Sequence, residues 1–212
     1  MRTVLWSVMD PDIALVGRLA ADLDRAFPAL VDAHADRLYS IALRCLGLTG
    51  DAEEVAQDAL VRSYRALATY DPDRILSLRL RPWLATITIN LARNRRRRLA
   101  DRRPASPLEP LLTGGFDVRA PDSAGPIALA ERHESRQELI QALSQLPLTM
   151  REAIVLRHVD GLSVADTAAA LGRPEGTIKA QVHRGLGQLR RALTAEAPTG
   201  ASAQPHTSEM TA

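Results

Sequence analysis

The sequence predicts an all-α protein of two small helical domains joined by a flexible linker. Apolar residues recur three and four positions apart up to about residue 99 and again from about residue 127, which is the spacing of amphipathic helices. Between these parts lies a stretch rich in proline and glycine that has little periodicity. Near the end of the second part, two helical patterns flank a tight turn, which indicates a helix-turn-helix.

The composition limits what kind of protein this is. The 212 residues can form two small domains, and with 3% aromatic residues their cores must be built from Leu, Ala, Val and Ile. Cys45 is the only cysteine, which excludes an intramolecular disulfide and a multi-cysteine zinc site, and it is predicted to be a buried packing residue. Because we find no signal peptide and no apolar run long enough to span a bilayer, we expect a cytoplasmic protein.

The helix-turn-helix pattern occupies residues 163–193. Ser163 can cap the first helix with Asp166 as its capping-box partner, and Gly172 and Pro174 favour a turn into a second helix. The inward stripe of that second helix is apolar and consists of Ile178, Val182, Leu186, Leu189 and Leu193. Its opposite surface is small and basic, with Thr177, Ala180, Arg184, Gly187 and Arg191, flanked by Lys179, His183 and Arg190. Such a surface suits a helix that reads the major groove of DNA, and a helical hairpin with a solvated face is the alternative.

Two helices are predicted at the start of the chain. A capping residue followed by Pro11 is predicted to start a short helix, and Pro28 is predicted to end it. Residues 1–26 are predicted to be an N-terminal extension that contains this short helix. The second helix runs to about Leu46. In it His34 is interpreted as a packing residue, because no second metal ligand lies at a suitable spacing.

A third helix, from Asp51 to about Ala68, begins with acidic side chains. Asp51 is predicted to cap it, and the following turns carry polar and acidic residues without a basic one, namely Glu53, Glu54, Gln57 and Asp58. The helix dipole favours negative charge in the first turn, but it does not explain Asp58. No His, Lys or metal ligand accompanies these carboxylates, so a docking face for a partner is favoured over a catalytic pair.

The fourth helix is strongly basic. It follows a loop predicted over residues 69–81, opens at Pro82 and is anchored by Trp83. Between Arg79 and Arg103 there are nine arginines and one acid. This density on an anchored helix indicates a surface that neutralises phosphates rather than an ordinary solvated charge run.

Residues 100–126 form the predicted linker, because five prolines interrupt any helical periodicity there. The second domain is predicted over residues 127–194. It begins with one helix, and Thr149 is predicted to cap the next helix, with Glu152 as the capping-box partner. The tail, residues 195–212, has no core-forming pattern and is predicted to be disordered.

Several strings of the sequence occur together in a known family. They are Asp51-Ala-Glu-Glu-Val-Ala-Gln-Asp-Ala-Leu, Arg81-Pro-Trp-Leu and Ile89-Asn-Leu-Ala-Arg-Asn in the first half, and Leu146-Pro-Leu-Thr-Met-Arg-Glu-Ala, Gly161-Leu-Ser-Val-Ala-Asp-Thr-Ala and Gly176-Thr-Ile-Lys-Ala-Gln-Val-His-Arg in the second. In this order they resemble the bacterial sigma factors of the extracytoplasmic-function (ECF) group. These are RNA polymerase specificity subunits that have only the second and fourth sigma domains. The resemblance makes residues 27–99 sigma domain 2 and residues 127–194 sigma domain 4.

The resemblance implies three contact surfaces. The acidic helix would dock on the clamp helices of the polymerase largest subunit through Glu54, Gln57 and Asp58. The arginine-rich helix would meet and melt the −10 promoter element through Asn90, Arg93, Asn94 and Arg97. The second helix of the helix-turn-helix would read the −35 element through Lys179, Gln181, His183 and Arg184. Gln181 departs from the basic residue that family members often have at this position.

The implied partners are core RNA polymerase, at its clamp helices and flap, and promoter DNA, without a cofactor, a metal or a catalytic residue. In the free protein, either the two domains pack together over their DNA-binding faces or an anti-sigma factor covers them. In the family the loop before Pro82 captures a flipped −10 base, and here it is longer and more apolar than usual. Aromatic candidates for stacking on single-stranded DNA nearby are Tyr64, Tyr70 and Trp83.

A stand-alone helix-turn-helix regulator is the main alternative function. Such regulators usually bind as dimers, and the sequence shows no dimerisation heptads. A recombinase or nuclease would need an activated nucleophile or a carboxylate metal cluster, and neither is evident. A helical interaction adaptor would leave the density of arginines unexplained.

Overall fold

The computed structural model describes residues 11–102 and 126–195, which form helices joined by short turns, without a strand among them. The N-terminal helices are α1 (Pro11–Ala21), α2 (Leu23–Leu46), α3 (Thr49–Leu67), α4 (Pro72–Leu76) and α5 (Leu80–Arg102). The C-terminal helices are α6 (Pro126–Ser144), α7 (Leu148–Ile154), which continues into a π-helical turn (Val155–Val159), α8 (Val164–Leu171) and α9 (Glu175–Ala195). The predicted all-α fold is confirmed. The first ten residues, most of the predicted linker (103–125) and nearly all of the predicted tail (196–212) lie outside the described residues.

The first helix ends at Ala21 rather than at Pro28. The backbone of Asp22 is extended, which separates α1 from α2. The Asp22 side chain accepts a hydrogen bond from the Arg25 N–H at 3.0 Å and so caps α2. Pro28 then lies inside α2, where it removes one backbone hydrogen bond. The prediction that Pro28 ends the first helix was wrong, because the Asp22 cap starts a new helix that continues through Pro28.

The N-terminal core is a bundle of α2, α3 and α5, with α1 packed on α2 and α4. Leu30 and Leu38 of α2 are fully buried in it, as is Leu84 of α5. His34 is also buried, with Nε2 3.2 Å from a carboxylate oxygen of Asp12, and this burial lowers the pKa of the imidazole. The interpretation of His34 as a packing residue agrees with this position.

The loop predicted before Pro82 is partly helical. Asp71 caps the short helix α4 by accepting from the Arg74 N–H at 2.7 Å, and Ile75 of α4 is buried beneath α1. The next helix, α5, begins at Leu80, two residues before Pro82. The sequence therefore contained a signal for α4, namely a capping Asp71 followed by Pro72 at the first helical position.

In the C-terminal half, α7 begins immediately after Pro147, so Thr149 does not cap it. Glu152 is not a capping residue either, because its side chain is 1% exposed and forms ion pairs. The helix-turn-helix follows its predicted signals: the Ser163 Oγ accepts from the Asp166 N–H at 3.0 Å, which caps α8. Gly172 ends α8 with φ +63°, a left-handed conformation that favours glycine.

The C-terminal helices pack against the N-terminal ones. The second helix, α2, contacts α6, α7 and the π-helical turn, while α5 contacts α8. At this junction Arg151 is buried and donates from Nη1 to the Cys45 carbonyl at 2.9 Å and from Nη2 to the Leu146 carbonyl at 3.1 Å. Its Nη2 also donates to the carbonyl of Ser144, the last residue of α6. One arginine thus satisfies free carbonyls at the ends of two helices, α2 and α6.

Two glycines of α9 offer a matched test of how this helix packs on α7. A Cβ added at Gly185 would lie 2.6 Å from Ile154 Cδ1 and 3.2 Å from Met150 Cβ, whereas a Cβ at Gly187 would meet nothing within 4 Å. We expect Gly187→Ala to raise the free energy of unfolding by up to about 1 kcal/mol through helix propensity. Gly185→Ala should give no such gain, because overpacking costs about 1–3 kcal/mol. Urea unfolding of both variants measures the difference, and equal stabilisation would show that α9 does not approach α7 this closely.

Candidate polymerase and nucleic-acid interfaces

The acidic side chains of α3 lie on its solvent side. Glu54, Gln57 and Asp58 are exposed and follow the i, i+3, i+4 spacing of one helix face. The Glu54 carboxylate accepts from Arg95 Nη1 at 2.7 Å and is still 62% exposed. Asp51, predicted as the cap, lies inside α3 and accepts from Arg95 Nε at 2.7 Å instead. This surface can meet a basic partner without rearrangement of the bundle.

The four residues predicted to meet the −10 element share one face of α5. Asn90, Arg93, Asn94 and Arg97 are spaced i, i+3, i+4 and i+7, and all but Arg93 are exposed. Arg93 is half-buried, because it reaches across to the C-terminal helices. The four side chains therefore share one helix face, and its central cation is already engaged in an ion pair.

Arg93 forms a bidentate ion pair with Glu152 of α7. Its Nε and Nη2 donate to the two carboxylate oxygens at 2.6 and 2.7 Å, and these bonds raise the pKa of the guanidinium. The same carboxylate accepts from Arg173 Nη2 at 2.6 Å. Since Arg173 lies in the turn between α8 and α9, one buried carboxylate joins α5 to the helix-turn-helix.

The outer face of α9 carries the residues predicted to read the −35 element. Lys179, His183 and Arg184 are exposed, together with the predicted small residues beside them. Gln181 is half-buried, and its Oε1 accepts from Arg173 Nη1 at 3.2 Å, which separates it from the other three. The prediction that the apolar stripe faces inward holds for Ile178 and Leu189, which are buried, but not for Leu193, which is exposed.

The aromatic candidates for base stacking are engaged in the protein. The Tyr64 ring packs edge-on against Phe27 at 5.0 Å, and its hydroxyl donates to Asp24 at 2.5 Å. Tyr70 packs beside the half-buried Trp83, and the Arg74 guanidinium lies 3.7 Å from the Tyr70 ring centre. These contacts favour a structural role for the three rings in this conformation.

Sequence reasoning missed the charged contacts that join the two halves, which are the ion pairs Arg37–Asp160, Arg79–Asp166 and Arg93–Glu152 and the hydrogen bond of Arg151 to the Cys45 carbonyl. The three carboxylates are buried, whereas the Arg79 side chain is 71% exposed. One signal was available, since the adjacent Arg151 and Glu152 interrupt an otherwise apolar helix. Charged side chains in such a place are expected to be buried and paired.

The described residues bring together no group of three or more His, Cys, Asp or Glu side chains that could hold a metal ion. In the same part of the chain, no helix is long and apolar enough to cross a bilayer. Burial raises the pKa of the Cys45 thiol to about 12, so this cysteine is an inert packing residue. What these surfaces offer is recognition of a basic partner by α3 and of polyanions by α5 and α9.

Comparisons with known proteins agree with this arrangement. Residues 30–103 match the family described as Sigma-70 region 2, and residues 136–189 match Sigma-70, region 4. The ECF RNA polymerase sigma factor SigW of Bacillus subtilis is 31% identical over 79% of this chain and 89% of its own. The ECF RNA polymerase sigma-E factor of Escherichia coli is 30% identical over 82% of this chain and 89% of its own.

Solved structures of two proteins are also similar. CnrH, in complex with the cytosolic domain of CnrY, is 27% identical with a TM-score of 0.62 and matches 89% of this chain and 100% of its own. The sigma factor RpoE of Bartonella quintana, in complex with the anti-sigma factor NepR, is 25% identical with a TM-score of 0.56 and matches 80% of this chain and 98% of its own. With the matched regions in the same order and the same helical architecture, the chain belongs to the ECF family of RNA polymerase sigma factors.

Proposed function

We propose that this sigma factor directs promoter-specific initiation through three surfaces on two domains. Residues 27–99 would act as sigma domain 2, with α3 docking on the clamp helices of core polymerase and α5 engaging the −10 element. Residues 127–194 would act as sigma domain 4, with α9 reading the −35 element beside the polymerase flap. Residues 100–126 would connect them.

The observation that carries this proposal is the outer face of α9. Lys179, His183 and Arg184 project from the second helix of a capped helix-turn-helix, and short side chains beside them allow close approach to base edges. The opposite side of α9 is held by its contacts with α6, α7 and α8, so the exposed face has a fixed orientation.

The protein itself would perform no bond chemistry, because the polymerase that it recruits makes the RNA. Its place of action would be the cytoplasm, where core polymerase and the chromosome are found. An anti-sigma factor is a further proposed partner, since the similar RpoE was solved in complex with one.

In vitro transcription with core polymerase and a library of promoter sequences tests the proposal. We expect specific initiation that depends on both elements of the promoter. Binding of an operator without polymerase, and no stimulation of initiation, would instead indicate a stand-alone helix-turn-helix regulator.

The docking surface on α3 has its own test. Glu54→Ala/Gln57→Ala/Asp58→Ala should weaken core binding at least tenfold, or about 1.4 kcal/mol, because it removes two exposed carboxylates and an amide without touching the core. Binding of labelled sigma factor to core polymerase, followed by fluorescence anisotropy, measures the loss. The control, Asp32→Ala/Glu138→Ala, removes the same charge from exposed positions of α2 and α6 and should leave the affinity unchanged. Unchanged affinity of the α3 variant would refute the docking assignment.

A further inference from the structure

We propose that Asp51 and Arg95 are positioning residues of the polymerase-docking surface, which together hold the Glu54 carboxylate ready for a cationic side chain of the polymerase. Asp51 compensates the charge of Arg95, and Arg95 fixes one oxygen of Glu54. The inference rests on the proposed function, because that function places Glu54 against core polymerase.

The three side chains form a chain of contacts between α5 and the surface of α3. Arg95 Nε donates to Asp51 Oδ1 at 2.7 Å, and Arg95 Nη2 pairs with the same oxygen. Arg95 Nη1 lies 2.7 Å from Glu54 Oε2. Because residues three apart on a helix are neighbours on its surface, one guanidinium group of α5 reaches both carboxylates of α3.

Exposure increases along these contacts towards the docking surface. The Asp51 side chain is 11% exposed, the Arg95 side chain 29% and the Glu54 side chain 62%. An ion pair that is shielded from water is screened less than an exposed one, so Asp51 is the stronger partner of Arg95. The hydrogen bond to Asp51 is also the main cause that raises the pKa of the Arg95 guanidinium.

This division of charge keeps Glu54 attractive to a cation. Without Asp51, Arg95 would neutralise the Glu54 carboxylate and would repel a basic partner beside it. With Asp51 in place, one cation faces two carboxylates, and the exposed end of the group stays negative. The partner that this group fits is therefore a lysine or arginine side chain on the polymerase.

Arg95 also limits the conformational freedom of Glu54. An exposed glutamate has many rotamers, and binding must select one of them at a cost in entropy. Arg95 makes this selection before docking, because its contact with Oε2 ties Glu54 to the neighbouring helix. The second oxygen, Oε1, accepts from the incoming cation.

Arg95 therefore serves α3, although it belongs to the arginine-rich helix. Its charge is compensated by Asp51 and Glu54, whereas Arg97 of the same helix is exposed to solvent. The salt-dependent part of DNA binding comes from cations that neutralise phosphates. Since the charge of Arg95 is already used within the protein, Arg95 does not add to this part.

A variant that conserves net charge tests the positioning. Asp51→Asn/Arg95→Gln, the pair variant, removes one negative and one positive charge and releases Glu54. We expect about threefold weaker binding to core polymerase by fluorescence anisotropy, and no further loss when Glu54→Ala is already present. A merely structural role of the pair, or a partial loss of folded protein, would weaken binding by the same factor in both backgrounds and would refute the positioning.

Asp51→Asn alone tests the compensation of charge. The amide keeps the shape and one acceptor of Asp51 but leaves the Arg95 charge uncompensated beside Glu54. We expect about tenfold weaker core binding, as for Glu54→Ala, and recovery to about the threefold level when Arg95→Gln is added. The control, Asp32→Asn, removes the same charge from an exposed position of α2 and should leave the affinity unchanged.

Binding of −10 promoter DNA separates a positioning role of Arg95 from a phosphate contact. The pair variant should keep the salt dependence with which the protein binds a forked −10 DNA. Arg97→Gln removes an exposed cation from the same helix and should lower the slope by about one. A lower slope in the pair variant would show that Arg95 contacts phosphate, which would overturn its assignment to Glu54.

The remaining outcomes distinguish a failure of the positioning from a failure of the docking assignment. If Glu54→Ala weakens core binding but the pair variant does not, the positioning is wrong and the docking assignment stands. If Asp51→Asn loses no more affinity than the pair variant, Asp51 does not compensate Arg95. If Glu54→Ala itself has no effect, Glu54 does not dock on polymerase, and the positioning fails with that assignment.

Discussion

Glu152→Ala is expected to lower the free energy of unfolding by about 3–5 kcal/mol, the usual cost of removing one partner of a buried ion pair. Glu152 is 1% exposed and accepts from both Arg93 and Arg173, so its loss leaves two guanidinium groups partly buried without a counter-charge. Arg93 can turn to solvent, because it is half-buried, but Arg173 belongs to the helix-turn-helix turn and is less free. Urea unfolding followed by circular dichroism measures the effect.

The matched variants for this prediction are Glu152→Gln and Glu138→Ala. The first keeps the side-chain volume and one acceptor, so we expect a smaller loss than with alanine. The second removes an exposed carboxylate from α6 and should change stability by no more than about 0.5 kcal/mol. A loss below about 1 kcal/mol for Glu152→Ala would show that the shared carboxylate does not hold the two arginines.

Lys179→Ala/Arg184→Ala should reduce initiation at promoters with an intact −35 element by at least about 30-fold. A specific base or phosphate contact is worth about 1–3 kcal/mol, and two lost contacts remove at least about 2 kcal/mol. The two side chains are exposed on α9, so their removal should leave the fold unchanged. Run-off transcription measures the rate, and the salt dependence of promoter binding should become shallower.

The control for this prediction lies on the same helix. Arg190→Ala/Arg191→Ala removes the same charge from exposed positions in the last turns of α9. Base reading belongs to the N-terminal part of a recognition helix, so this variant should lose less activity and lose it equally on a scrambled −35 element. Equal activity of Lys179→Ala/Arg184→Ala on the intact and the scrambled element would contradict the −35 assignment.

Local signals were sufficient for the helix-turn-helix. The cap at Ser163, the left-handed Gly172 and the small, basic outer face of α9 all follow from rules that act within a few residues. The same rules failed at Pro28 and Thr149, where two local signals competed. The Asp22 cap starts α2 before Pro28, and α7 begins immediately after Pro147 and therefore before Thr149.

The ion pairs, in contrast, do not follow from residues that are close in sequence. The acidic first turns of α3 have no basic neighbour in sequence, yet Arg95 of α5 pairs with both Asp51 and Glu54. Likewise Arg93 was predicted as a DNA contact from its place on α5, and nothing near it in sequence indicated Glu152 as its partner. These partners are 41 to 59 residues apart along the chain in the Arg95–Glu54 and Arg93–Glu152 pairs.

The amino-acid order alone therefore specified most of the helices, their apolar sides and the exposed faces that we propose for polymerase and DNA, because helix periodicity, caps and turns depend on residues a few positions apart. The packing of α1–α5 against α6–α9 specified which of those charges are free and which are already neutralised. Ion pairs such as Arg93–Glu152 depend on the distance between folded helices, and a carboxylate becomes a strong partner only where burial has removed its water.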